Sequence, residues 1–426
     1  MNATMNATAT EPQSPLAHLS PEQLDELGRE FDAIRDRVAA DLGARDRRYI
    51  ESMIAMQRRL AVISRVLLLA ARYRPAKVAG TAALSAAKIL ENMEIGHNVL
   101  HGQWDWMNDP QINSSTWDWD TASTAEAWKH SHNYVHHTFT NILGKDKDLG
   151  YEIMRIDPRQ SWHPVYLLQP LYNILLMALF EWGVAFHDLD FEAIRKGHKS
   201  KAQVKREVAG IFKKAKSQVV KDYVAWPLLS GLAMAAVDVA FEARKELTAA
   251  EGRRHWGRRR RGGLAGVLRK ALEGGLDSYK SAAAANATAN VVRNVWAYAI
   301  IFCGHFPDQT YTFSPEEVED ESRGGWYVRQ LAGAANIEGS PLFHVASGNL
   351  GYQVEHHLFP DLPSTRYAEI APQVKQICER YGLPYNSGPF GQQLGMVQRT
   401  ILRLAFPGGT SRPKPGPYRG EDHPAL

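Results

Sequence analysis

The stretch His132-Asn133-Tyr134-Val135-His136-His137 decides how this chain must fold. On an α-helix, positions i and i+4 lie on one face, so His132 and His136 can present both imidazoles to the same ion. His137 lies about 100° further round the helix and can reach a second ion. The spacing therefore predicts a helix that contributes ligands to a site for two metal ions.

Two further histidine groups lie far from this one along the chain. His97 and His101 repeat the i, i+4 spacing, although such a pair alone is more often a satisfied or exposed histidine pair than a metal site. Gln353, His356 and His357 form a second doublet, preceded at short spacing by another ligand-type residue. Together, the three groups indicate a common site more strongly than any one of them does.

An eighth candidate is His305, which directly follows the apolar stretch Ala287–Gly304. A lone histidine at a helix end more often caps the helix or interacts with its dipole. Because His305 comes where this stretch is expected to leave the membrane, we also expect it to be a ligand.

The ligand type limits the choice of metal. Neutral imidazole suits zinc, copper, iron and nickel. A structural zinc site needs about four ligands, so eight candidate imidazoles imply two ions. Two irons acting with O₂ could remove hydrogen from an unactivated C–H bond, which is chemistry that cofactors perform and side chains cannot.

Apolar stretches suggest a membrane protein, but hydropathy does not decide it, since the mean hydropathy is only −0.35. One stretch, Val165–Phe186, has roughly the length of a bilayer span. The others are shorter or interrupted, the last of them by Arg293. They are Val62–Ala71, Val78–Leu90, Val224–Ala240 and Ala287–Gly304. Buried helices of a soluble domain would give the same pattern.

The histidine groups constrain the topology, because they must all lie on one side of a membrane to form one site. The first two apolar stretches then form a hairpin. Ten Lys and Arg against five Asp and Glu from Asp188 to Asp222 favour the cytoplasm for that segment. Val165–Phe186 is then re-entrant or interfacial, and the two later stretches cross. This places the basic segment 242–285 outside, against the positive-inside rule, so the exact spans stay open.

The remaining patterns divide the chain into a main domain, 20–405, and two ends predicted to be disordered, 1–19 and 406–426. Ser20 and Pro21 predict the start of an amphipathic helix. Ser364 is predicted to cap a second helix that ends at Tyr381, before Gly382. Residues 242–285 look like a basic insertion.

Composition excludes several classes of function. Two cysteines cannot form a disulfide framework or hold a cysteine-ligated iron–sulfur cluster. A net charge of +4 is too small to indicate nucleic acid binding. The polar N-terminus is not a secretory signal. The sequence also has no glycine-rich dinucleotide fingerprint, so electrons would have to come from a separate protein.

The order HxxxH, HxxxHH and QxxHH, with apolar stretches between, resembles the membrane fatty acid desaturases. Longer strings closely resemble the actinobacterial stearoyl-CoA 9-desaturases, including those of mycobacteria. They are ENMEIGH (91–97), GQWDWMND (102–109), IFCGHFP (301–307) and EHHLFPDLPS (355–364). The resemblance covers most of residues 21–400 and lapses over 242–285.

The resemblance implies an all-α, four-span membrane protein of the plasma membrane with a cytoplasmic helical cap that holds a diiron site. The implied iron ligands are His97, His101, His132, His136, His137, His305, His356 and His357. Gln353 replaces the leading histidine of other desaturases, so it binds weakly, through water, or not at all.

The implied activity is O₂-dependent desaturation of a long-chain saturated acyl chain. The substrate would be stearoyl- or palmitoyl-CoA, desaturated at the 9 position, or a lipid-linked chain. Electrons would come from NADPH through a separate flavin/iron–sulfur reductase. A diiron lipid hydroxylase or ketolase is the alternative, and a metal-binding membrane protein without oxygenase activity is a second.

Two smaller questions concern the surroundings of the site. Five tryptophans concentrate between the first two histidine groups and either line a substrate tunnel or form an interfacial belt. They are Trp104, Trp106, Trp117, Trp119 and Trp128. Asp146 and Asp148 either form a solvated turn or orient imidazoles. Glu94 and Glu355 raise the same question, and neither is predicted to be a ligand.

Overall fold

A computed structural model describes residues 14–252 and 264–409. Helices dominate the described residues, and the only strands among them are the short parallel pair β1 (Asn336–Glu338) and β2 (Ser387–Pro389). The α-helices are α1 Pro21–Ala40, α2 Ala44–Leu68, α3 Arg74–Ile89, α4 Asn98–Leu100, α5 Ala125–Trp128, α6 His137–Phe139, α7 Gln169–Ala178, α8 Phe180–His187, α9 Phe191–Arg195, α10 Lys201–Val219, α11 Trp226–Gly252, α12 Leu264–His305, α13 Arg323–Ala332, α14 Pro341–Ala346, α15 Gln353–Leu358, α16 Tyr367–Tyr381 and α17 Phe390–Leu404. The predicted helical class is therefore confirmed, with one small pair of strands added.

Segments of π-helix and 3₁₀-helix interrupt or extend these elements. The π-helical segments are Leu90–His97, Lys129–His136 and Val220–Ala225. The 3₁₀ segments are Asp105–Met107, Leu149–Glu152, Pro164–Leu168, Glu316–Val318, Leu350–Tyr352 and Ser364–Arg366. Two of the π-helical segments end at histidines of the predicted site, which is a common location for this rare geometry.

One group of helices in the fold packs α1 against α13, α15 and α16. Its core contains Leu27, Phe31, Tyr327, Phe359 and Val374, all fully buried. The start of α1 is as predicted, because Ser20 accepts from the Gln23 backbone N–H while the Gln23 side chain accepts from the Ser20 N–H. This reciprocal cap fixes where the amphipathic stripe of α1 begins.

The prediction for α16 is right at its end and wrong at its start. The helix ends at Tyr381, and Gly382 adopts the left-handed conformation with φ of 62°. Ser364 does not cap it, because a 3₁₀ turn intervenes and the serine hydroxyl faces the interior instead. There it accepts a hydrogen bond from Asn98 Nδ2 at 3.0 Å, since packing against the first histidine group outweighs local capping.

Helices α2, α3, α11 and α12 form the second half of the fold. Leu68 and Leu84 on the hairpin α2–α3 pack against Ala282, Ala285 and Ala289 of α12. The segment predicted as an insertion therefore continues α11 and α12 as paired helices, and its last turns belong to the core. Part of it, residues 253–263, lies outside the described residues, as do 1–13 and 410–426 of the two predicted disordered ends.

Within the described residues, one continuous helix, Lys201–Lys245, is long and apolar enough to cross a bilayer. The segments Pro164–Ala178 and Phe180–Arg195 meet this criterion only as a pair, with a bend of 102° between them. Such a bend suits either a broken span or a re-entrant segment, the latter being the prediction for Val165–Phe186. Helix α12, which contains the expected crossing Ala287–Gly304, does not meet the criterion.

Candidate metal centre

The eight predicted histidines come from four stretches of the chain and converge in one place. The π-helical turns supply His97, His132 and His136, and the α-helical turns that follow them supply His101 and His137. Helix α12 ends at His305, and the short helix α15 carries His356 and His357. These segments are distant in sequence, so only the tertiary fold brings their imidazoles together.

The imidazoles fall into two groups whose nitrogen atoms lie close enough to share an ion. His97, His101, His132 and His356 each offer a ring nitrogen within 4.8 Å of the others. His136, His305 and His357 form a second such group. The i, i+4 pair at the first site places the rings of His97 and His101 4.6 Å apart, between ring centroids.

His137 lies between the two groups. Its ring centroid is 4.8 Å from that of His101 and 4.7 Å from that of His357, so it can serve either group. Both of its ring nitrogens are buried and have no hydrogen-bond partner. The sequence predicted that His132 and His136 would share one ion and that His137 would reach the second. The structure differs, because His132 belongs to the first group and His136 to the second, with His137 between them.

Unpartnered nitrogen atoms test whether these residues fit metal ions. Buried polar atoms in proteins normally have a partner, because leaving one without costs about 1–3 kcal/mol. Among the eight predicted histidines, the buried ring nitrogens without one are His101 Nε2, His132 Nε2, His136 Nε2, His137 Nδ1 and Nε2, His305 Nδ1, His356 Nε2 and His357 Nε2. Such a concentration of buried ring nitrogens without a partner in one place fits the binding of two metal ions.

The opposite nitrogen of several rings is held by a neighbouring group. Asp148 Oδ2 lies 3.3 Å from His132 Nδ1, and both oxygens of Asp146 lie 3.1 Å from His136 Nδ1. The alternative in which these aspartates orient imidazoles therefore describes their position better than a solvated turn does. An imidazole held at Nδ1 directs Nε2 toward the centre, as metal-binding histidines commonly do.

Neutral residues hold other rings in the same way. Gln330 Oε1 lies 3.0 Å from His357 Nδ1, and the Tyr367 hydroxyl lies 3.3 Å from His356 Nδ1. Asn98 Oδ1 is 3.0 Å from His97 Nδ1. Sequence reasoning missed all three, because a glutamine, a tyrosine and an asparagine carry no spacing signal for this role.

The protonation states favour ligation at most of these rings. Burial, followed by the charge of neighbouring imidazoles, lowers the pKa of His101, His137, His356 and His357 well below the ordinary value. Their neutral form is the one that binds metal. At His136 burial acts in the same direction, but the Asp146 and Asp148 carboxylates outweigh it and raise the pKa.

Gln353 lies within the second group. Its Nε2 is 3.0 Å from His305 Nε2, and its buried Oε1 has no hydrogen-bond partner. Glu94 and Glu355 are engaged in hydrogen bonds outside the two groups. Tyr49 and Asn349 donate to Glu94, whereas Asn336 and Tyr385 donate to Glu355.

A cavity of about 60 Å³ adjoins the first histidine group. Its walls near the histidines contain His97, His132, Trp128 and His187. Trp119 also lines it, so two of the five tryptophans surround this cavity, whereas Trp104 packs away from it with Ile50 and Val99. Apolar residues from α8 and α12 complete the walls.

The fold and the site define a class of protein, a helical protein with a histidine-rich centre fit for two metal ions beside an apolar cavity. The family model for fatty acid desaturases matches residues 208–389. An NADPH-dependent stearoyl-CoA 9-desaturase of Mycobacterium tuberculosis is 42% identical over 391 residues, which are 92% of this chain and 82% of the relative.

More distant relatives carry related names. The sn-1 linoleoyl-lipid 6-desaturase of Synechocystis is 23% identical over 74% of this chain and 76% of its own length. Human fatty acid desaturase 3 is 39% identical over 21% of this chain and 20% of its own. No solved structure matches. This chain belongs to the fatty acid desaturase family, whose members are membrane-associated oxidoreductases that use a diiron centre.

Proposed function

We propose that this protein is an acyl-CoA desaturase that introduces a double bond at the 9 position of a long saturated acyl chain, with stearoyl- or palmitoyl-CoA as substrate. One observation carries the proposal. Eight histidines of three sequence groups and α12 converge beside an apolar cavity, and most of them keep a buried ring nitrogen without a partner. The name of the mycobacterial relative supports the choice of substrate.

The proposed iron ligands follow the two groups. His97, His101, His132 and His356 would hold one iron, and His136, His305 and His357 the other. His137 would complete either set, and the Gln353 side-chain oxygen is a candidate for a weak or water-mediated contact. When bound, the irons would supply the O₂-dependent oxidation that removes hydrogen from two adjacent methylene groups.

The protein's own residues position the reactants. Asp146, Asp148 and Gln330 fix the orientation of three imidazole rings through Nδ1. The opposite nitrogen of each ring can therefore bind a metal ion without the ring having to turn. Trp128 stacks on His132 with ring centroids 4.6 Å apart, which closes the cavity beside that imidazole. A saturated chain offers no polar handle, so the shape of the cavity must determine where the chain is oxidised.

The membrane arrangement belongs to the same proposal. We infer a multi-pass protein of the plasma membrane whose histidine centre and helical cap face the cytoplasm. Exposed large apolar side chains on α7, α8, α11 and α12 support contact with lipid. They include Leu171, Ile174, Phe186, Leu228, Leu232, Phe241, Leu272 and Val292. A monomeric soluble protein rarely exposes a surface of this kind.

Electrons would come from NADPH through a separate reductase that docks on the cytoplasmic face. The basic segment from Asp188 to Asp222 is a candidate surface for it. The printed name of the mycobacterial relative includes NADPH dependence, which supports the source of the electrons.

The test is to supply membranes holding this protein and a reductase with labelled stearoyl-CoA or stearoyl-phospholipid. We expect a product two mass units lighter from the CoA ester, with its double bond at carbon 9. A gain of sixteen mass units would instead indicate a hydroxylase. Purified protein should also hold close to two irons per chain, and an iron-free protein that consumes no O₂ would contradict the proposal.

A further inference from the structure

The ion pair between Glu181 and Arg293 adjoins the cavity, because Glu181 is one of the residues that line it. Arg293 is the charge that interrupts the last apolar stretch of the sequence. The side chains of Glu181 and Arg293 are 4% and 2% exposed and form a close ion pair. Glu181 and Asn294, the residue next to Arg293, both line the cavity.

Two helices define the depth of the cavity. Helix α12 ends at His305 and contributes Ile301, Ala297 and Asn294 to the wall, so Asn294 lies about 16 Å below the histidine along the helix. Helix α8 ends at His187, and Glu181 lies about 9 Å below that residue. The cavity therefore runs from the imidazoles to the ion pair.

The side chains that α8 and α12 contribute between these ends are apolar, whereas Ser123, Ser131 and Asp188 line other parts of the cavity. Phe180, Val184, Ala297 and Ile301 line this part of the cavity. A saturated chain that passes the histidines would follow these residues and meet two charged groups at the far end.

Hydrogen bonds from neighbouring groups hold the ion pair in place. Gln218 Nε2 donates to Glu181 at 2.7 Å, and Arg293 donates to the Asp120 carbonyl at 3.0 Å. Asn294 Oδ1 accepts from Arg293 at 3.1 Å. Separating two buried charges is strongly unfavourable, so an incoming methyl group cannot push them apart.

We propose that Glu181 and Arg293 form the end wall of the acyl cavity and thereby set the longest acyl chain that this enzyme accepts. This inference rests on the proposed function, since it takes the occupant to be a saturated acyl chain. A methyl end that reached further would have to lie against a carboxylate and a guanidinium, or displace them. Chains of the accepted length stop at the pair.

The test replaces both charges together, because removing one would leave the other buried without a partner. The variant Glu181→Ala/Arg293→Ala should gain activity on arachidoyl-CoA relative to stearoyl-CoA by about tenfold, since one methylene in an apolar pocket changes discrimination by about 10- to 200-fold. The double bond should keep its position counted from the thioester, because that end of the substrate is unaffected.

A second variant narrows the cavity instead of lengthening it. Ala297→Leu, one helical turn above Asn294, should shift activity from stearoyl- toward myristoyl-CoA. The matched control is Ala299→Leu, because Ala299 is also buried in α12 but does not line the cavity. That control should keep the wild-type preference. If the double variant does not fold, Ala297→Leu and its control still test whether an acyl chain occupies this cavity.

Thermal stabilisation of each protein by the same series of saturated acyl-CoAs gives a readout that does not need turnover. The wild type should be stabilised up to one chain length and no further, and the double variant should extend that limit. A folded double variant and Ala297→Leu that both keep the wild-type profile would overturn the proposal. If the wild type desaturates no acyl-CoA, the proposed function fails. The stabilisation series still tests whether Glu181 and Arg293 limit the length of the bound chain.

Discussion

Both carboxylate oxygens of Asp146 lie 3.1 Å from Nδ1 of His136, and both side chains are almost completely buried. The same carboxylate accepts the Asn141 backbone N–H at 2.7 Å, which fixes it relative to the helix end. A carboxylate held this way sets the orientation of the imidazole and increases its basicity as a ligand.

Replacing Asp146 with alanine should weaken iron binding by about 10- to 100-fold, the usual cost of losing a group that orients a metal-binding histidine. Iron titration of the purified variant measures this. Asp36→Ala is the matched control, because that carboxylate is 76% exposed and pairs with Arg35 on the same helix. Equal iron affinity in the two variants would contradict the role assigned to Asp146.

His136→Ala should abolish both iron retention and desaturation. The residue is 1% exposed, and its Nε2 has no partner other than the proposed iron. His130→Ala offers a close control, since that histidine precedes the same histidine group but is exposed. Metal analysis and product analysis should separate the two variants completely, and full desaturation by His136→Ala would refute the ligand assignment.

The stability of the fold should depend on the buried guanidinium of Arg366, which directly precedes α16. It donates to both oxygens of Asp46, at 2.6 and 2.8 Å, and Asp46 is 1% exposed. Arg366→Met leaves this carboxylate without its partner and should cost about 3–5 kcal/mol of stability. Arg45→Met, at a pair whose arginine is 56% exposed, should cost at most about 1 kcal/mol. Thermal unfolding in detergent compares them, and equal losses would argue against a special role for Arg366.

Cysteine labelling can test the proposed topology directly. Cys303 and Cys378 are both buried, so the unmodified chain should label weakly and provides the control. Lys196→Cys and Arg269→Cys each introduce one exposed thiol on the two segments predicted to lie on opposite sides. In intact cells, an impermeant maleimide should modify the second variant and should reach the first only after lysis. Labelling of both from one side would contradict the arrangement.

Much of the site was predictable because its chemistry depends on residue type and short spacing. The pairs His97/His101 and His132/His136 each predict a shared helical face, and their rings do lie close together. The π-helical turns that end at His97 and His136 were not predicted, since no residue pattern distinguishes them from α-helix. The groups that hold the rings were missed where they are neutral, as at Gln330 and Tyr367.

The sequence alone determined the helical class, the start of α1, the end of α16 and the eight histidines that meet at the centre. These depend on local properties, namely capping, helical periodicity and the ligand chemistry of imidazole. Only the tertiary structure decided that Ser364 faces Asn98 rather than capping α16, and that Arg293 pairs with Glu181 at the end of the cavity. Those outcomes depend on contacts between segments far apart in the chain, for which local sequence carries no signal.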